Sequence, residues 1–278
     1  MRTQTVPIVK MSGTGNDFLM IDNRAGLLKD GDAPALARAA CPRRISAGAD
    51  GIILLEKPSS AGHDYRMRIF NADGSEAEMC GNGSRCLAVF ARQLGAAGDN
   101  QRLETMAGTV LASVLPGAQA ARVQLSQPSS LEVRRGLEVL GKKCDLYFIN
   151  TGVPHAIQFV ADAAAVDVKS AGAAIRYHEA FQPKGTNANF VQLMGGDTIK
   201  VRTYERGVED ETFACGTGST AAAIVSGLVH GYRTPVKVLT SGGSVLTIHF
   251  EKQGGGVGAP FLEGAVDTVF KGEFYWRK

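Results

Sequence analysis

The sequence predicts a mixed α/β protein of two similar halves, each a mixed, curved β-sheet wrapped around a central helix. Its 278 residues are enough for two domains of ordinary size. Short alternating apolar runs are separated by glycine-rich turns, a pattern typical of β-hairpins. The segments Cys80-Gly-Asn-Gly-Ser-Arg and Cys215-Gly-Thr-Gly-Ser-Thr lie about half a chain apart, and each precedes an apolar stretch of helical length.

The predicted elements follow a similar order in the two halves, with a basic-led strand before each Cys-Gly-x-Gly motif. A Gly-Thr-x-x-x-Phe segment also occurs in each half, at Gly13 and at Gly185. We expect the halves to meet near residue 122, giving units 1–122 and 123–264. The predicted strands are Val6–Asp22 around a glycine loop, Gly51–Leu55, Tyr65–Phe70, a hairpin over Val110–Leu125, Ile199–Tyr204 and short strands from Ser244 to Phe274. The predicted helices are Ala33–Cys41, Asn82–Leu94, Ala163–Tyr177 and Thr217–Val229.

Composition argues against nucleic-acid and membrane partners. Lys and Arg number 30 against 27 Asp and Glu, so the net charge is only +3. The chain has no apolar run long enough for a transmembrane helix, and its first residues lack the apolar stretch of a secretory signal. Five cysteines are an odd number for a secreted disulfide framework. We therefore expect a cytoplasmic protein with reduced cysteines, of which Cys41, Cys86 and Cys144 belong to the core.

Each Cys-Gly-x-Gly motif places a cysteine just before a helix. A helix N-terminus carries unpaired N–H groups and a partial positive charge, which lower the pKa of a thiol and attract an anion such as a carboxylate. The two glycines of each motif would let a ligand approach the backbone. If the loops face each other, the thiolate of one cysteine can take a proton from a carbon and the thiol of the other can return one to the opposite face. Cys80 and Cys215 are thus candidate acid–base residues for inverting a stereocentre.

Cofactor-dependent chemistry finds no support in the sequence. Cys80 and Cys86 are too far apart for a zinc ligand pair, and no second ligand pair completes a site. The Gly13-Thr-Gly15 loop lacks the third glycine of a dinucleotide fingerprint, and neither a P-loop nor a pyridoxal lysine is indicated. The sequence therefore predicts an enzyme without metal or organic cofactor.

Six stretches together make the sequence resemble the diaminopimelate epimerase family along nearly its whole length. They are KMSGTGNDF (10–18), GADGIILL (48–55), RIFNADGSEAEMCGNGSRC (68–86), NTGVPHAI (150–157), GTNANFV (185–191) and YERGVEDETFACGTGSTAAA (204–223). The resemblance implies a cofactor-independent homodimer that interconverts LL- and meso-diaminopimelate for lysine and peptidoglycan synthesis. It also implies that the last strands, about 265–278, return to the first half.

Site residues are carried over from the family motif by motif. Cys80 and Cys215 match the two acid–base cysteines, and His155 and Glu205 match groups that adjust cysteine protonation. Arg206 offers a planar fork for the distal carboxylate of the substrate. The other positions that match substrate-binding residues are Asn16, Asn71, Gly81, Asn82, Asn187, Glu205, Gly216 and Thr217.

Two positions depart from a common form of the family. Gly51 stands where some members have a glutamine that touches substrate, and Val153 stands where many have an asparagine. The alternative function is a proline or hydroxyproline racemase of the same architecture, although that type has Cys-Gly-His where this chain has Cys80-Gly81-Asn82. A phenazine-biosynthesis isomerase would lack the cysteine pair, and a thiol oxidoreductase would use the cysteines as a redox couple. Which cysteine serves which enantiomer stays open at this point.

Overall fold

The computed structural model describes residues 3–254 and 256–278. The chain divides into two compact units. The first unit combines Met1–Val123 with Gly264–Lys278, and the second is Gln124–Glu263. Both are mixed α/β units in which strands hold more residues than helices do, in agreement with the predicted fold class. Among the described residues, no helix is both long enough and apolar enough to cross a lipid bilayer.

The first unit is a mixed sheet with the strand order β20-β1-β2-β3-β4-β6-β7-β8. The pairs β2–β3 and β4–β6 are parallel and the other neighbours are antiparallel. The strands are β1 (Thr3–Gly13), β2 (Asn16–Asp22), β3 (Gly51–Glu56), β4 (Tyr65–Asn71), β5 (Glu76–Ala77), β6 (Asn100–Thr105), β7 (Gly108–Val114), β8 (Ala120–Gln124) and β20 (Asp267–Arg277). Two helices complete the unit, α1 (Asp32–Ala40) and α2 (Gly81–Gln93).

Helix α2 is the central helix of the first unit. Residues 82–91 are all buried, and strands β1, β2, β3, β4 and β7 pack against the helix. Cys80 is the N-cap, and the chain leaves the helix through Gly95, whose φ of 64° lies in the left-handed region that glycine adopts without strain. The sequence predicted this helix to within one residue at each end.

The second unit repeats the pattern with the strand order β9-β10-β11-β12-β13-β15-β16-β19. Here β11–β12 and β13–β15 are parallel and the other neighbours are antiparallel. The strands are β9 (Glu132–Val139), β10 (Lys142–Asn150), β11 (Pro154–Phe159), β12 (Asn187–Gly195), β13 (Thr198–Glu205), β14 (Asp210–Thr212), β15 (Val236–Leu239), β16 (Val245–His249), β17 (Lys252–Gln253), β18 (Gly256–Val257) and β19 (Phe261–Ala265). Its helices are α3 (Val168–Arg176) and α4 (Gly216–His230).

Helix α4 occupies in the second unit the place that α2 occupies in the first. It is capped by Cys215 and ends at Gly231, which has a φ of 73°. Residues 218–227 are buried, and small side chains such as Ala221, Ala222 and Ala223 let the surrounding strands approach closely.

The two units therefore share one topology, and strand registers identify equivalent positions. The final strand, β20, pairs with β1 as β9 pairs with β10, so the end of the chain fills in the first unit the role that β9 has in the second. The chain thus returns to the first unit, as the family resemblance implies.

One part of the predicted internal repeat is wrong. Gly13–Phe18 forms the turn between β1 and β2, whereas Gly185–Phe190 leads into β12, the equivalent of β3. The two Gly-Thr-x-x-x-Phe segments are therefore similar in sequence but lie at positions of the two units that are not equivalent.

Three smaller predictions also need correction. Helix α3 begins five residues late, because Asp167 caps it and the Ala163 and Val166 carbonyls accept hydrogen bonds of 2.9 and 2.8 Å from Arg202. Cys144 lies half-buried on β10 rather than in the core, whereas Cys41 and Cys86 are buried as predicted. The tail predicted as short strands ends in the 11-residue β20, and its Gly255 lies outside the described residues.

Candidate active site

Cys80 sits at the N-terminus of α2 in the geometry of a helix cap. Its backbone is extended, with φ −142° and ψ 122°, and its Sγ accepts a hydrogen bond from the Gly83 N–H at 3.5 Å. The Asn16 Oδ1 lies 3.6 Å from the same sulfur and accepts from the thiol. Cys80 thus has a donor that favours its thiolate and an acceptor that favours its thiol.

A carboxylate fixes the Asn16 side chain. Asn16 Nδ2 donates to Asp50 Oδ2 at 2.7 Å, and Asp50 also accepts from the Asp17 N–H and from Arg43. Burial alone would raise the pKa of Asp17, but Arg43 and Lys10 outweigh it and hold that pKa at about 2. Asp17 therefore stays ionised at neutral pH.

The other predicted positions of the first unit lie beside the same helix start. Asn71, at the end of β4, is exposed and donates to Ser75 Oγ at 2.9 Å. Gly81 and Asn82 form the first turn of α2. The Asn82 Oδ1 is buried and has no hydrogen-bond partner among the described residues. It is a polar atom available to a ligand at this helix start.

Cys215 is the N-cap residue of α4, but unlike Cys80 its side chain makes no capping hydrogen bond, and its neighbours differ. Its Sγ lies 3.5 Å from Thr217 Oγ1, and its thiol hydrogen-bonds to the Glu205 carboxyl group. Burial raises the pKa of Glu205, although hydrogen bonds from Thr212 and Cys215 act in the opposite direction. A partly buried carboxyl group thus contacts this thiol directly, with Gly216 and Thr217 in the adjacent helical turn.

Asn187 and Arg206 are joined within the second unit. Asn187 Oδ1 accepts from the Arg206 backbone N–H at 2.8 Å, and Asn187 Nδ2 donates to the Pro154 carbonyl at 2.8 Å. The Arg206 guanidinium donates to the Lys184 carbonyl at 3.0 Å. Asn187 therefore fixes the position of the Arg206 backbone and has one amide N–H left for a ligand. The half-buried Arg206 guanidinium likewise has most of its N–H donors left for a ligand.

His155 is fully buried beside the Cys215 loop. Its Nδ1 lies 3.2 Å from Asn189 Nδ2, and its Nε2 has no hydrogen-bond partner among the described residues. Burial, and secondarily the nearby Arg206 charge, lower the pKa of His155 to about 3. His155 is thus a neutral imidazole at physiological pH.

The second glycine of each motif has a role that the sequence analysis missed. A Cβ atom at Gly83 would lie 2.7 Å from Ile53 Cδ1, and one at Gly218 would lie 2.5 Å from Asn189 Oδ1. These glycines let the helix start pack on a strand, β3 or β12. The prediction that they also admit a ligand to the backbone is separate from this packing role and stays a prediction.

The sequence analysis also missed three polar residues, Asp50, Arg85 and Asn189. Arg85 is fully buried in α2; it donates to Thr14 Oγ1 at 2.7 Å, while its Nε and Nη1 have no hydrogen-bond partner among the described residues. Burial lowers its pKa. The sequence did contain a signal for Arg85, because it is a charged residue in an otherwise apolar helix. It contained no signal for Asp50 or Asn189, because their hydrogen-bond partners lie in segments distant in sequence. The described residues contain no cluster of His, Cys, Asp or Glu that could hold a metal ion.

Comparison with known proteins decides the family. The sequence model of the family described as diaminopimelate epimerase matches residues 8–130 and 147–264, which is most of the chain. The chain belongs to the diaminopimelate epimerase family. A diaminopimelate epimerase of Aquifex aeolicus is 49% identical over 272 residues, covering 95% of each chain. Another, of Hydrogenobaculum, is 41% identical and covers 95% of this chain and 97% of its own.

Solved structures extend the likeness to the fold alone. A PhzF-family phenazine biosynthesis protein of Bacillus anthracis has a TM-score of 0.72 at 16% identity and covers 99% of each chain. A hydroxyproline epimerase of Agrobacterium vitis has a TM-score of 0.68 at 15% identity, covering 99% of this chain and 93% of its own. The diaminopimelate epimerase family thus shares its architecture with proteins of other names.

The two departures from the family pattern fall at related places. By strand register, Asn16, Gly51 and Asn71 of the first unit are equivalent to Val153, Asn187 and Glu205 of the second. Each unit therefore has two polar side chains and one position without a polar group. A side chain at position 51 would meet the Phe70 carbonyl oxygen at 2.4 Å, so this backbone does not accept one there.

Proposed function

We propose that this protein interconverts LL- and meso-2,6-diaminopimelate by a two-base mechanism with Cys80 and Cys215. One observation carries the proposal: each of two units with the same topology has a cysteine as the N-cap of its central helix. The second support is membership of a family whose relatives are named diaminopimelate epimerases.

The proposed reaction has one cysteine on each side of the α-carbon. One thiolate removes the α-proton, and the opposite thiol delivers a proton to the other face, so the configuration inverts and the two sulfurs exchange protonation states. An amino-acid α-proton is weakly acidic, and the negative charge of the carbanion spreads into the carboxylate. N–H groups at the starts of α2 and α4 would stabilise that charge.

The remaining polar groups are proposed to bind the rest of the substrate. Arg206 would hold the distal carboxylate, since a guanidinium matches a carboxylate with two parallel hydrogen bonds. Glu205 would accept from an ammonium group. The other proposed contacts are Asn16, Asn71, Gly81, Asn82, Asn187, Gly216 and Thr217.

Glu205 and His155 are proposed to adjust cysteine protonation. The Glu205 carboxyl group accepts from the Cys215 thiol, which favours the protonated form of that cysteine. Neutral His155 adds no charge to the site.

The decisive test is an assay of protein treated with a metal chelator and a carbonyl reagent. We expect LL-diaminopimelate to give the meso form and, in deuterated water, to gain one deuterium at the inverted carbon. Proline is the parallel substrate. Inversion of proline without inversion of diaminopimelate, or inversion without solvent label, would contradict the proposal.

A homodimer in the cytoplasm is part of the same proposal, with the product used for lysine and peptidoglycan precursors. We propose that β20 contributes to the interface, because its apolar side chains Val269, Phe270 and Tyr275 are exposed. Light scattering after size-exclusion chromatography should give twice the chain mass of 29.3 kDa. The mass of one chain would contradict it.

A further inference from the structure

Three buried positions are apolar in the first unit and polar in the second. Strand registers make Phe18, Ile53 and Ile69 equivalent to His155, Asn189 and Thr203. All six are at most 4% exposed. The first unit demonstrates that apolar side chains fill these places, so the polar trio His155–Asn189–Thr203 is not needed to build the fold.

The trio is a hydrogen-bonded chain with a fixed direction. Asn189 Nδ2 donates to the Ala156 carbonyl at 3.1 Å, and Asn189 Oδ1 accepts from Thr203 Oγ1 at 2.9 Å. A threonine hydroxyl can donate or accept, but a backbone carbonyl only accepts. The Ala156 carbonyl therefore fixes the orientation of the Asn189 side chain, with the NH₂ group toward Ala156 and the oxygen toward Thr203.

This direction decides where the His155 proton lies. The second hydrogen of Asn189 Nδ2 points to His155 Nδ1 over 3.2 Å, so Nδ1 must be the unprotonated nitrogen that accepts it. In a neutral imidazole the proton then lies on Nε2, the buried atom that has no partner among the described residues.

The imidazole lies close to the Cys215 sulfur. His155 Cε1 and Cys215 Sγ are both 3.3 Å from the point where a Cβ atom at Gly218 would be, and Cε1 is bonded to Nε2. The Arg206 guanidinium is a charged group near the ring, and Asn189 is the neutral hydrogen-bond partner of the ring.

We propose that Asn189 is a positioning residue that holds His155 as the Nε2–H tautomer, so that His155 does not act as the base of the Cys215 thiol. Nδ1 is occupied by Asn189 and Nε2 already carries a proton, so neither nitrogen is available to take the thiol proton. The purpose of this arrangement rests on the proposed function, whereas the tautomer itself is a property of the free protein.

The test is a long-range ¹H–¹⁵N correlation spectrum of protein with ¹⁵N-labelled histidine. The protein has five histidines, and the signal of His155 is identified as the one that is absent from a His155→Gln variant. We expect His155 to show an unprotonated Nδ1 and a protonated Nε2 from about pH 5.5 to about pH 8.5, where an ordinary histidine titrates. A protonated Nδ1 in the wild-type protein would overturn the inference.

Two variants test the role of Asn189. In Asn189→Asp the carboxylate can only accept, so the proton should move to Nδ1, and turnover should fall about tenfold as for loss of other orienting partners of a histidine. Asn189→Ile copies the first unit, is expected to fold, and should leave a mixture of tautomers. Thr220→Val, which removes a buried hydroxyl of α4 bonded to the Gly216 carbonyl, should leave the tautomer unchanged.

The outcomes separate this inference from the proposed function. An unchanged tautomer in both Asn189 variants would refute the positioning role even in an active enzyme. The expected tautomers in a protein that does not invert diaminopimelate would refute the proposed function and leave the assignment of Asn189 intact.

Discussion

The Asn16 side-chain amide donates to the Asp50 carboxylate across 2.7 Å and thereby turns its carbonyl oxygen toward Cys80. A carboxylate cannot donate, so the amide has no reverse orientation that keeps this hydrogen bond. Asp50 consequently favours the protonated form of Cys80, against the N–H groups of α2, which favour the thiolate.

Replacing Asp50 should therefore change the protonation of Cys80. In Asp50→Asn, Asn16 can turn its NH₂ group to the sulfur, and the midpoint of iodoacetamide reactivity against pH should fall. The measurement uses a Cys144→Ser and Cys215→Ala background, in which Cys41 and Cys86 stay unreactive because burial raises their pKa values to about 11 and about 12. Asp17→Asn, which changes charge at the same Arg43 without touching Asn16, is the matched control. An equal shift in both variants would mean that charge alone acts.

The proposed acid–base cysteines should each be indispensable. Cys80→Ala and Cys215→Ala are expected to lower the rate of inversion by roughly 10² to 10⁴-fold, the usual contribution of a general acid or base. Circular dichroism should remain that of the wild-type protein. Cys144→Ser, at a half-buried cysteine on β10 whose thiol donates to the Leu137 carbonyl, should keep its activity. Inversion at the wild-type rate in both alanine variants would exclude the two-base mechanism.

Arg206 should control affinity for the distal carboxylate. Arg206→Lys keeps the charge but loses the planar fork, and a lost charge-assisted hydrogen bond of about 1.5–3 kcal/mol corresponds to a roughly ten- to hundredfold higher KM. Steady-state kinetics should reveal a smaller change in kcat. Arg176→Lys, at an arginine paired with Glu209 over 3.1 Å, is the control for altered loop structure. A KM equal to that of the wild-type enzyme would remove Arg206 from the binding site.

The polar trio should make the fold sensitive to acid. The pKa of His155 is about 3 in the folded protein against 6.5 ordinarily, so its contribution to stability is complete above pH 6.5 and is lost as the pH falls toward 3. The loss approaches about 1.4 kcal/mol per pH unit. The triple replacement His155→Phe, Asn189→Ile and Thr203→Ile copies the first unit and should remove this part of the slope. Urea titrations at several pH values measure it, and the difference between the two proteins cancels other groups such as Glu205.

A methyl group at Gly218 should be costly. Gly218→Ala would bring Cβ to 2.5 Å from Asn189 Oδ1, and such overpacking usually destabilises by about 1–3 kcal/mol. Gly98→Ala, where nothing lies within 4 Å, should leave the free energy of unfolding nearly unchanged. Equal unfolding midpoints for the two variants would show that the helix start has room to move.

Local sequence patterns predicted the elements that carry their own signals. Helices α2 and α4 were predicted because a cap residue, an apolar stretch and a terminal glycine occur together. Strand β9 was missed because it is exposed on both faces over most of its length, so its residues do not alternate. The trio of His155, Asn189 and Thr203 was missed because its members come from three strands and only their register joins them.

The candidate site is a mixed case. The motifs selected the residues around each helix start, and their roles in binding and catalysis stay predictions until the variants are measured. The motifs could not predict the orientation of the hydrogen-bonding groups. Asn16 turns its oxygen toward Cys80 because its NH₂ group donates to Asp50, and His155 has its proton on Nε2 because the Ala156 carbonyl fixes Asn189. Both facts depend on partners distant in sequence.

The position of β20 affects how the protein is made. The second unit has all of its strands once Ala265 has been synthesised, whereas β1 still lacks its partner β20, which is synthesised later. The half that is translated first is therefore completed second, and a chain cut short by a dozen residues would expose one edge of β1 while retaining a whole second unit.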